Sequence, residues 1–139
     1  MKTVDFYTKV KQITAKDLRY HYDAYEFIND AVIYTVTKLD KLKEENEKRH
    51  ITGQELLKGI REFALKQFGP MTYTVFNEWG VNDGLAVGNI VFNMVEYKIL
   101  SSCEQDSIKD FENAFDFTTA FCDPFIPKGI EIPPLPVLA

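Results

Sequence analysis

The sequence predicts a mainly α protein: a winged-helix-like core with N-terminal helices, a small β-hairpin and a proline-rich C-terminal arm. Apolar residues recur at helical spacing over long stretches, and a short helix, a turn and a longer helix follow one another within residues 70–96. Five of the six prolines fall in residues 123–139. We expect one domain at 1–122, in which N-terminal helices (1–48) pack on the winged-helix-like core (49–122), followed by an extended tail.

Two helices are predicted in the N-terminal part. Phe6, Val10 and Ile13 give the first its apolar face. A connection at residues 15–23 leads to a second, long amphipathic helix, which ends in the mixed-charge run KLKEENEKRH, expected to be a solvated helix end and loop. The apolar stripe of the second helix comprises Phe27, Ile28, Ala31, Val32, Thr35, Val36, Leu39 and Leu42.

A third helix is predicted from Thr52, and both its start and its end are marked. Thr52 and Glu55 have the spacing of a capping box, in which each side chain accepts a hydrogen bond from the backbone N–H of the other residue. Gly69 and Pro70 end the helix. Its buried face comprises Leu56, Ile60, Phe63, Ala64 and Phe68.

The next segments predict a helix-turn-helix. A short helix from Pro70 to Gly80 is followed by the turn VND and by a longer helix. The segment KILSS then ends the longer helix and starts a strand, and ENAFDF returns as the second strand of a hairpin, which completes the winged-helix form. The apolar face of the longer helix comprises Val87, Ile90, Val91, Met94 and Val95.

The segment DFENAFDFTTAF (110–121) is open to two interpretations. A strand would place its phenylalanines on one side and Asp116 on the other, whereas a helix would group Phe111, Phe115 and Phe121 on one face. We expect a strand followed by a turn of helix at TTAF. In either form the phenylalanines lie in the core and the carboxylates in water.

The tail DPFIPKGIEIPPLPVLA cannot form a regular helix or sheet because of its prolines. Its apolar content is too high for a simple linker. Two alternatives stay open: a disordered extension, and an extended arm that docks on the domain or on a partner.

The net charge is −5, from 16 basic and 21 acidic residues, and the whole excess lies in residues 104–131. Such a chain has no strong nonspecific affinity for nucleic acid, which depends on basic groups. The N-terminus lacks the apolar segment of a signal peptide, and no apolar run is long enough to span a bilayer. We therefore expect a soluble, cytoplasmic protein that does not bind membranes.

Several segments resemble a small uncharacterised bacterial family, the Minf-type "uncharacterised repeat" proteins. They are RHITGQELLKGIREFALKQFGPM, WGV, NIVFNMVE and DFENAFDF, with AYEFI nearer the start. The resemblance covers roughly residues 20–121 and leaves out the tail. It implies no reaction, cofactor or catalytic residue, so no site is transferred from the family.

No catalytic residue, metal site or cofactor is predicted. His21 and His50 are isolated, and neither HxxxH nor CxxC occurs. The acids at 106–112 lack the Asx-Gly pattern of a calcium loop. Cys103 and Cys122, whose redox state stays open, have no local partners that would make either a nucleophile. We therefore interpret the protein as a non-enzyme.

The longer helix of the helix-turn-helix gives the predicted partner-binding surface. Opposite its apolar face lie Leu85, Asn89, Phe92, Asn93 and Glu96. The asparagines could read base edges, but the face has no Arg or Lys, and Glu96 repels phosphate. An aromatic anchor among amides and acids suits a protein interface better. The alternative is that the long N-terminal helix covers this face.

The sequence thus predicts a non-catalytic protein-interaction module or adaptor, which binds a protein partner or forms a homodimer. The alternative function is a nucleic-acid-binding regulator of the winged-helix type. That function would need a basic stripe formed by Lys9, Lys11, Lys16, Arg19, Lys58, Arg61 and Lys66.

Overall fold

The computed structural model describes residues 4–40, 52–100, 111 and 117–122. The helices in these ranges are α1 (Val4–Lys16), α2 (Tyr22–Asp40), α3 (Gly53–Phe68), α4 (Thr72–Trp79), α5 (Gly84–Glu96) and α6 (Phe117–Phe121), with a 3-10 turn at Gly69–Met71 before α4. None of the described residues is in a strand, so the prediction of a mainly α protein is confirmed. Of the helices that the structure describes, none has the length and apolarity needed to cross a membrane.

Helix α2 lies at the centre of the assembly, in contact with α1, α3, α4 and α5. Its inner face carries Tyr25, Ile28 and Ala31, each at most 1% exposed. These residues follow the helical spacing of an amphipathic helix, and burying each large side chain contributes roughly 1.5–3 kcal/mol. Because the buried residues of α1 and of the later helices join the same cluster, the described helices share one hydrophobic core.

Helix α3 begins at the predicted capping box. The backbone N–H of Glu55 donates to Thr52 Oγ1 at 3.0 Å, and the backbone N–H of Thr52 donates to Glu55 Oε1 at 2.8 Å. These bonds satisfy N–H groups that the first turn of a helix leaves without partners. The buried residues Leu56, Ile60 and Ala64 lie on the predicted inner face of α3.

Helices α4 and α5 are joined at residues 80–83, in the order predicted for a helix-turn-helix. Gly80 takes a φ of 82°, the left-handed conformation that ends α4. A Cβ at this position would lie 2.5 Å from the backbone oxygen of Arg19, so glycine is also needed for space. Asp83 caps α5, because its Oδ1 accepts a hydrogen bond from the N–H of Ala86 at 2.9 Å.

The first strand of the predicted hairpin is wrong at the residues that the structure describes, because Lys98–Leu100 form a turn and bend. Lys98 has a φ of 61°, and its N–H donates to the carbonyl of Val95 at 2.9 Å. The N–H of Ile99 donates to the carbonyl of Met94 at 2.8 Å. This pair of bonds is a Schellman motif, which satisfies the last carbonyls of α5 and turns the chain away from an extended path.

The second strand is also wrong where its residues are described, because Phe111 is helical and Phe117 begins α6. The turn of helix predicted at TTAF (118–121) is confirmed, because these residues lie in α6. Phe117, Ala120 and Phe121 are all buried, which is the i, i+3, i+4 spacing of a helix face.

The expectation that the phenylalanines of this segment lie in the core is confirmed for Phe111 and Phe117, which are 2% and 4% exposed. Phe115, Asp116 and the proline-rich tail at 123–139 lie outside the described residues. The winged form of the core therefore stays a prediction.

Candidate functional site

The predicted partner-binding face of α5 is only partly open to solvent. Leu85 is 39% exposed, and Glu96 is exposed as well. Phe92 is half-buried, and its ring meets the ring of Phe111 edge to face at 6.4 Å. The aromatic residue that was expected to anchor a partner therefore already contacts an internal ring.

The two asparagines of this face make hydrogen bonds within the molecule. Asn89 Nδ2 donates to the hydroxyl of Tyr20 at 2.9 Å. Asn93 Nδ2 donates to Asp17 Oδ2 and to the hydroxyl of Tyr25, both at 3.0 Å. The acceptors lie on the connection before α2 and on the first turns of α2, so these elements cover the middle of the α5 face.

Asp17 is the charged centre of this contact. Arg19 donates to its carboxylate from Nε at 2.9 Å and from Nη2 at 2.7 Å. These hydrogen bonds hold the pKa of Asp17 well below its usual range, although partial burial acts in the opposite direction. Burial raises the pKa of the Tyr25 phenol, and the bond from Asn93 partly offsets that effect. The arrangement fastens the connection to α5 and offers no group poised for catalysis.

A groove lies between α2 and α3, and the sequence did not predict it. We call it the α2–α3 groove. Its volume is about 1060 Å³, and its lining combines four uncharged residues, Ile33, Tyr34, Thr37 and Phe63, with four charged ones, Asp30, Lys38, Glu62 and Lys66. Ile33 is 45% exposed, so α2 presents a large apolar side chain to solvent at this groove.

Aromatic contacts and ion pairs hold the walls of the α2–α3 groove. The rings of Tyr34 and Phe63 lie 5.1 Å apart at an angle of 35°. Lys66 Nζ sits 5.1 Å above the ring of Tyr34, in a cation–π contact. Lys38 pairs with Glu62, and their hydrogen bond lowers the pKa of Glu62 and raises that of Lys38. The groove thus combines apolar and aromatic side chains with charged ones.

Two smaller concavities flank the α2–α3 groove. One, of about 350 Å³, is lined in part by Phe27, Phe68 and Trp79. The other, of about 330 Å³, includes Ile33 and Ile99. Since Ile33 borders both this concavity and the α2–α3 groove, it forms a ridge between them. The signal in the sequence was the apolar pair Ile33 and Tyr34, which falls outside the inward stripe of α2.

His21 and Cys122 are the histidine and the cysteine that lie in the described part of the chain. The Nδ1 atom of His21 accepts a hydrogen bond from the backbone N–H of Asp23, and the side chain is 55% exposed. Cys122 is a half-buried free thiol, while Cys103 and His50 lie outside the described residues. Within the described part of the chain, no three His, Cys, Asp or Glu side chains are placed to hold a metal ion.

Comparison with known proteins gives no relative from which a site could be transferred. No family model, no curated protein and no solved structure matches the chain. The resemblance to the Minf-type bacterial family therefore stays a prediction, and the case for function depends on the molecule's own surfaces.

Proposed function

We propose that this protein is a non-catalytic interaction module or adaptor that binds a segment of a protein partner in the α2–α3 groove. The observation that carries the proposal is the position of Ile33. This large apolar side chain is 45% exposed and borders an aromatic wall formed by Tyr34 and Phe63. Apolar and aromatic anchors inside a charged rim are the usual anatomy of a protein interface.

The charges around the groove also favour a protein ligand over a nucleic acid. Two bases, Lys38 and Lys66, and two acids, Asp30 and Glu62, line the groove, so their formal charges cancel. A surface without excess positive charge gains nothing from the release of phosphate counterions, which supplies most nonspecific nucleic-acid affinity.

The alternative function, a nucleic-acid-binding regulator, belongs with the winged-helix form of the core. The order of α3, α4 and α5 supports that form, because a helix-turn-helix needs these elements in this sequence. Against the function stand Asn89 and Asn93, whose amide groups donate to Tyr20, Asp17 and Tyr25 instead of facing outward. We therefore place this function second.

A capture experiment with matched variants tests the proposal. The intact chain is used as bait in a lysate of its source, beside the variants Ile33→Asp, Leu85→Asp and Leu18→Asp. Leu18 is 84% exposed on the connection before α2, so Leu18→Asp is the control for a charge placed on an exposed leucine. Quantitative mass spectrometry compares the captured proteins, and circular dichroism verifies that each variant is folded.

We expect at least one partner that the parent and Leu18→Asp capture equally and that Ile33→Asp captures about tenfold less, because a carboxylate in an apolar contact is costly to bury. Loss with Leu85→Asp instead would move the interface to the α5 face. If no protein is captured in a way that depends on any of these positions, the interaction proposal is wrong.

A further inference from the structure

We propose that the α2–α3 groove is occupied in the intact chain by the protein's own proline-rich segment, residues 132–139. The inference deepens the proposed function and rests on it, because it names the chemistry of the ligand. The ligand is an extended, apolar and uncharged peptide. The nearest peptide of that kind is attached to the same chain, so an external partner has to compete with it.

The groove and the segment match in charge. The lining of the groove carries as many acids as bases, and Lys38 is already paired with Glu62. The other four lining residues are uncharged, and a charged ligand group placed against Ile33, Tyr34 and Phe63 would lose hydration. Residues 132–139 read IPPLPVLA and contain no charged side chain.

The groove and the segment also match in shape and stiffness. Prolines hold a chain in the extended polyproline II form before it binds, so little conformational entropy is lost on docking. Aromatic-lined grooves recognise such segments through ring contacts. Tyr34 and Phe63 supply an aromatic wall, and Ile33 adds an aliphatic ridge beside it.

The segment is attached close enough to reach the groove. The described chain stops just after α6, whose Phe121 ring lies 5.1 Å from that of Phe76. From Phe76, ring contacts run to Phe27, to Phe63 and to Tyr34, each between 5.1 and 5.5 Å long. Four such steps cannot exceed about 22 Å.

The nine residues that precede the docking segment (123–131) would span roughly 28 Å in the polyproline II form. That reach exceeds the summed length of the ring contacts. Attachment also raises the effective concentration of the segment at the groove to the millimolar range. Even an intrinsic affinity that is only millimolar would then leave a large share of the molecules with the groove filled.

Photo-crosslinking of the full chain tests this occupancy. A photoreactive benzoylphenylalanine replaces Ile33, the dilute protein is irradiated, and mass spectrometry maps the crosslinks in the monomer and dimer fractions. The same residue in place of Leu18 is the control, because Leu18 is more exposed than Ile33 and does not line the groove. We expect crosslinks from position 33 to residues 132–139 within the monomer, and none from position 18.

Two substitutions in the tail sharpen the test. Leu135→Asp should lower the yield of these crosslinks by about tenfold, since it places a carboxylate in the segment proposed to dock. Ile126→Asp makes the same kind of change outside that segment and should leave the yield unchanged. Crosslinks to the tail that occur only in covalent dimers, or no crosslinks to the tail at all, would overturn the inference.

The outcomes separate this inference from the proposed function. If the tail is not crosslinked but Ile33→Asp still loses a captured partner, the groove binds partners and only the internal occupant is wrong. If the tail is crosslinked but no captured partner depends on Ile33, the groove serves the chain's own tail and the interaction proposal fails.

Discussion

Thr35 and Gly59 meet where α2 packs on α3, and their contact leaves no room for a side chain at position 59. A Cβ built on Gly59 would lie 1.8 Å from Thr35 Oγ1 and 2.9 Å from Thr35 Cβ. Thr35 is 4% exposed, and its hydroxyl donates to the carbonyl of Ala31 at 2.8 Å, so its side chain is held in place. This close approach sets the spacing of the two helices beside the α2–α3 groove.

Gly59→Ala should therefore destabilise the protein. Helix propensity alone would favour alanine by about 1 kcal/mol, but forcing extra atoms into a packed contact costs about 1–3 kcal/mol. At a separation of 1.8 Å the steric cost exceeds the propensity gain. We expect a net loss of up to about 2 kcal/mol in the free energy of unfolding, measured by urea denaturation.

Two comparisons locate the cause of that loss. Lys58→Ala, at the exposed neighbouring position, should change stability by less than about 0.5 kcal/mol. The double variant Thr35→Ala/Gly59→Ala removes the nearest clashing atom, so it should be more stable than the sum of the single variants by about 1 kcal/mol. Strict additivity would mean that position 59 does not meet Thr35.

The capping box at α3 gives a second prediction. Thr52→Ala removes the hydroxyl that accepts from the N–H of Glu55, and the loss of an N-cap costs about 1 kcal/mol. Thr52→Ser keeps the hydroxyl and should stay close to the parent. Denaturation midpoints compare the three proteins, and an unchanged midpoint for Thr52→Ala would mean that the helix begins elsewhere.

A third prediction is a stabilising substitution at the end of α5. Lys98 holds a φ of 61°, a conformation that strains a side chain but not glycine. Lys98→Gly should raise the free energy of unfolding by about 0.5–1 kcal/mol, since relief of strain outweighs the greater freedom of glycine in the unfolded chain. Glu96→Gly, inside the helix, should instead lower it by about 1 kcal/mol. Equal losses in both variants would argue against the Schellman motif.

The fourth prediction concerns pH. Because its contacts with Arg19 lower the folded-state pKa of Asp17, the charged form of this carboxyl stabilises the fold. That contribution is present above the unfolded-state pKa of about 3.9 and is lost as the pH falls toward the folded-state value. Asp17→Asn should cost about 1 kcal/mol at pH 7, a value discounted for partial exposure.

Urea denaturation of the parent and of Asp17→Asn at several pH values checks this coupling. The parent should lose more stability than the variant between about pH 5 and pH 2, so that the two curves converge in acid. A difference that stays constant over the whole range would show that the carboxyl charge contributes nothing and that only the shape of the side chain matters.

The fifth prediction separates the two candidate functions. Glu96 is exposed on α5, and Asn93 is bonded to Asp17 and Tyr25, so we expect no duplex DNA binding tighter than about 10 µM at physiological salt. Fluorescence anisotropy of a labelled duplex, measured at two salt concentrations, provides the check. A tight complex that weakens steeply with salt would restore the regulator as the leading function.

The elements with local signals were predictable from the sequence. The capping box at Thr52, the stop at Gly69 and the apolar stripe of α2 each depend on residues within a few positions of one another. At the residues that the structure describes, the predicted hairpin is wrong for the same kind of reason. Lys98 stands where a Schellman turn usually has glycine, so the end of α5 carried no recognisable signal. The phenylalanines that follow fit the period of a helix and the period of a strand equally well.

The surfaces were not predictable, because they depend on residues far apart in the chain. Asn89 and Asn93 have the spacing of an outward-facing pair, and only the folded connection before α2 supplies their acceptors. The α2–α3 groove likewise depends on how two helices approach each other at Gly59, a glycine that resembles any other in the sequence.

The bonds from Asn89 and Asn93 to the start of α2 also bear on the order in which the chain acquires its structure. They join residues separated by 68 to 76 positions. During synthesis, α1 and α2 leave the ribosome long before α5. The inner face of α2 therefore cannot pack against α5 until that helix has been made. Contacts of this span slow folding relative to a bundle held by neighbouring helices alone. The packing of α1 and α2 is therefore finished only when the later helices have been synthesised.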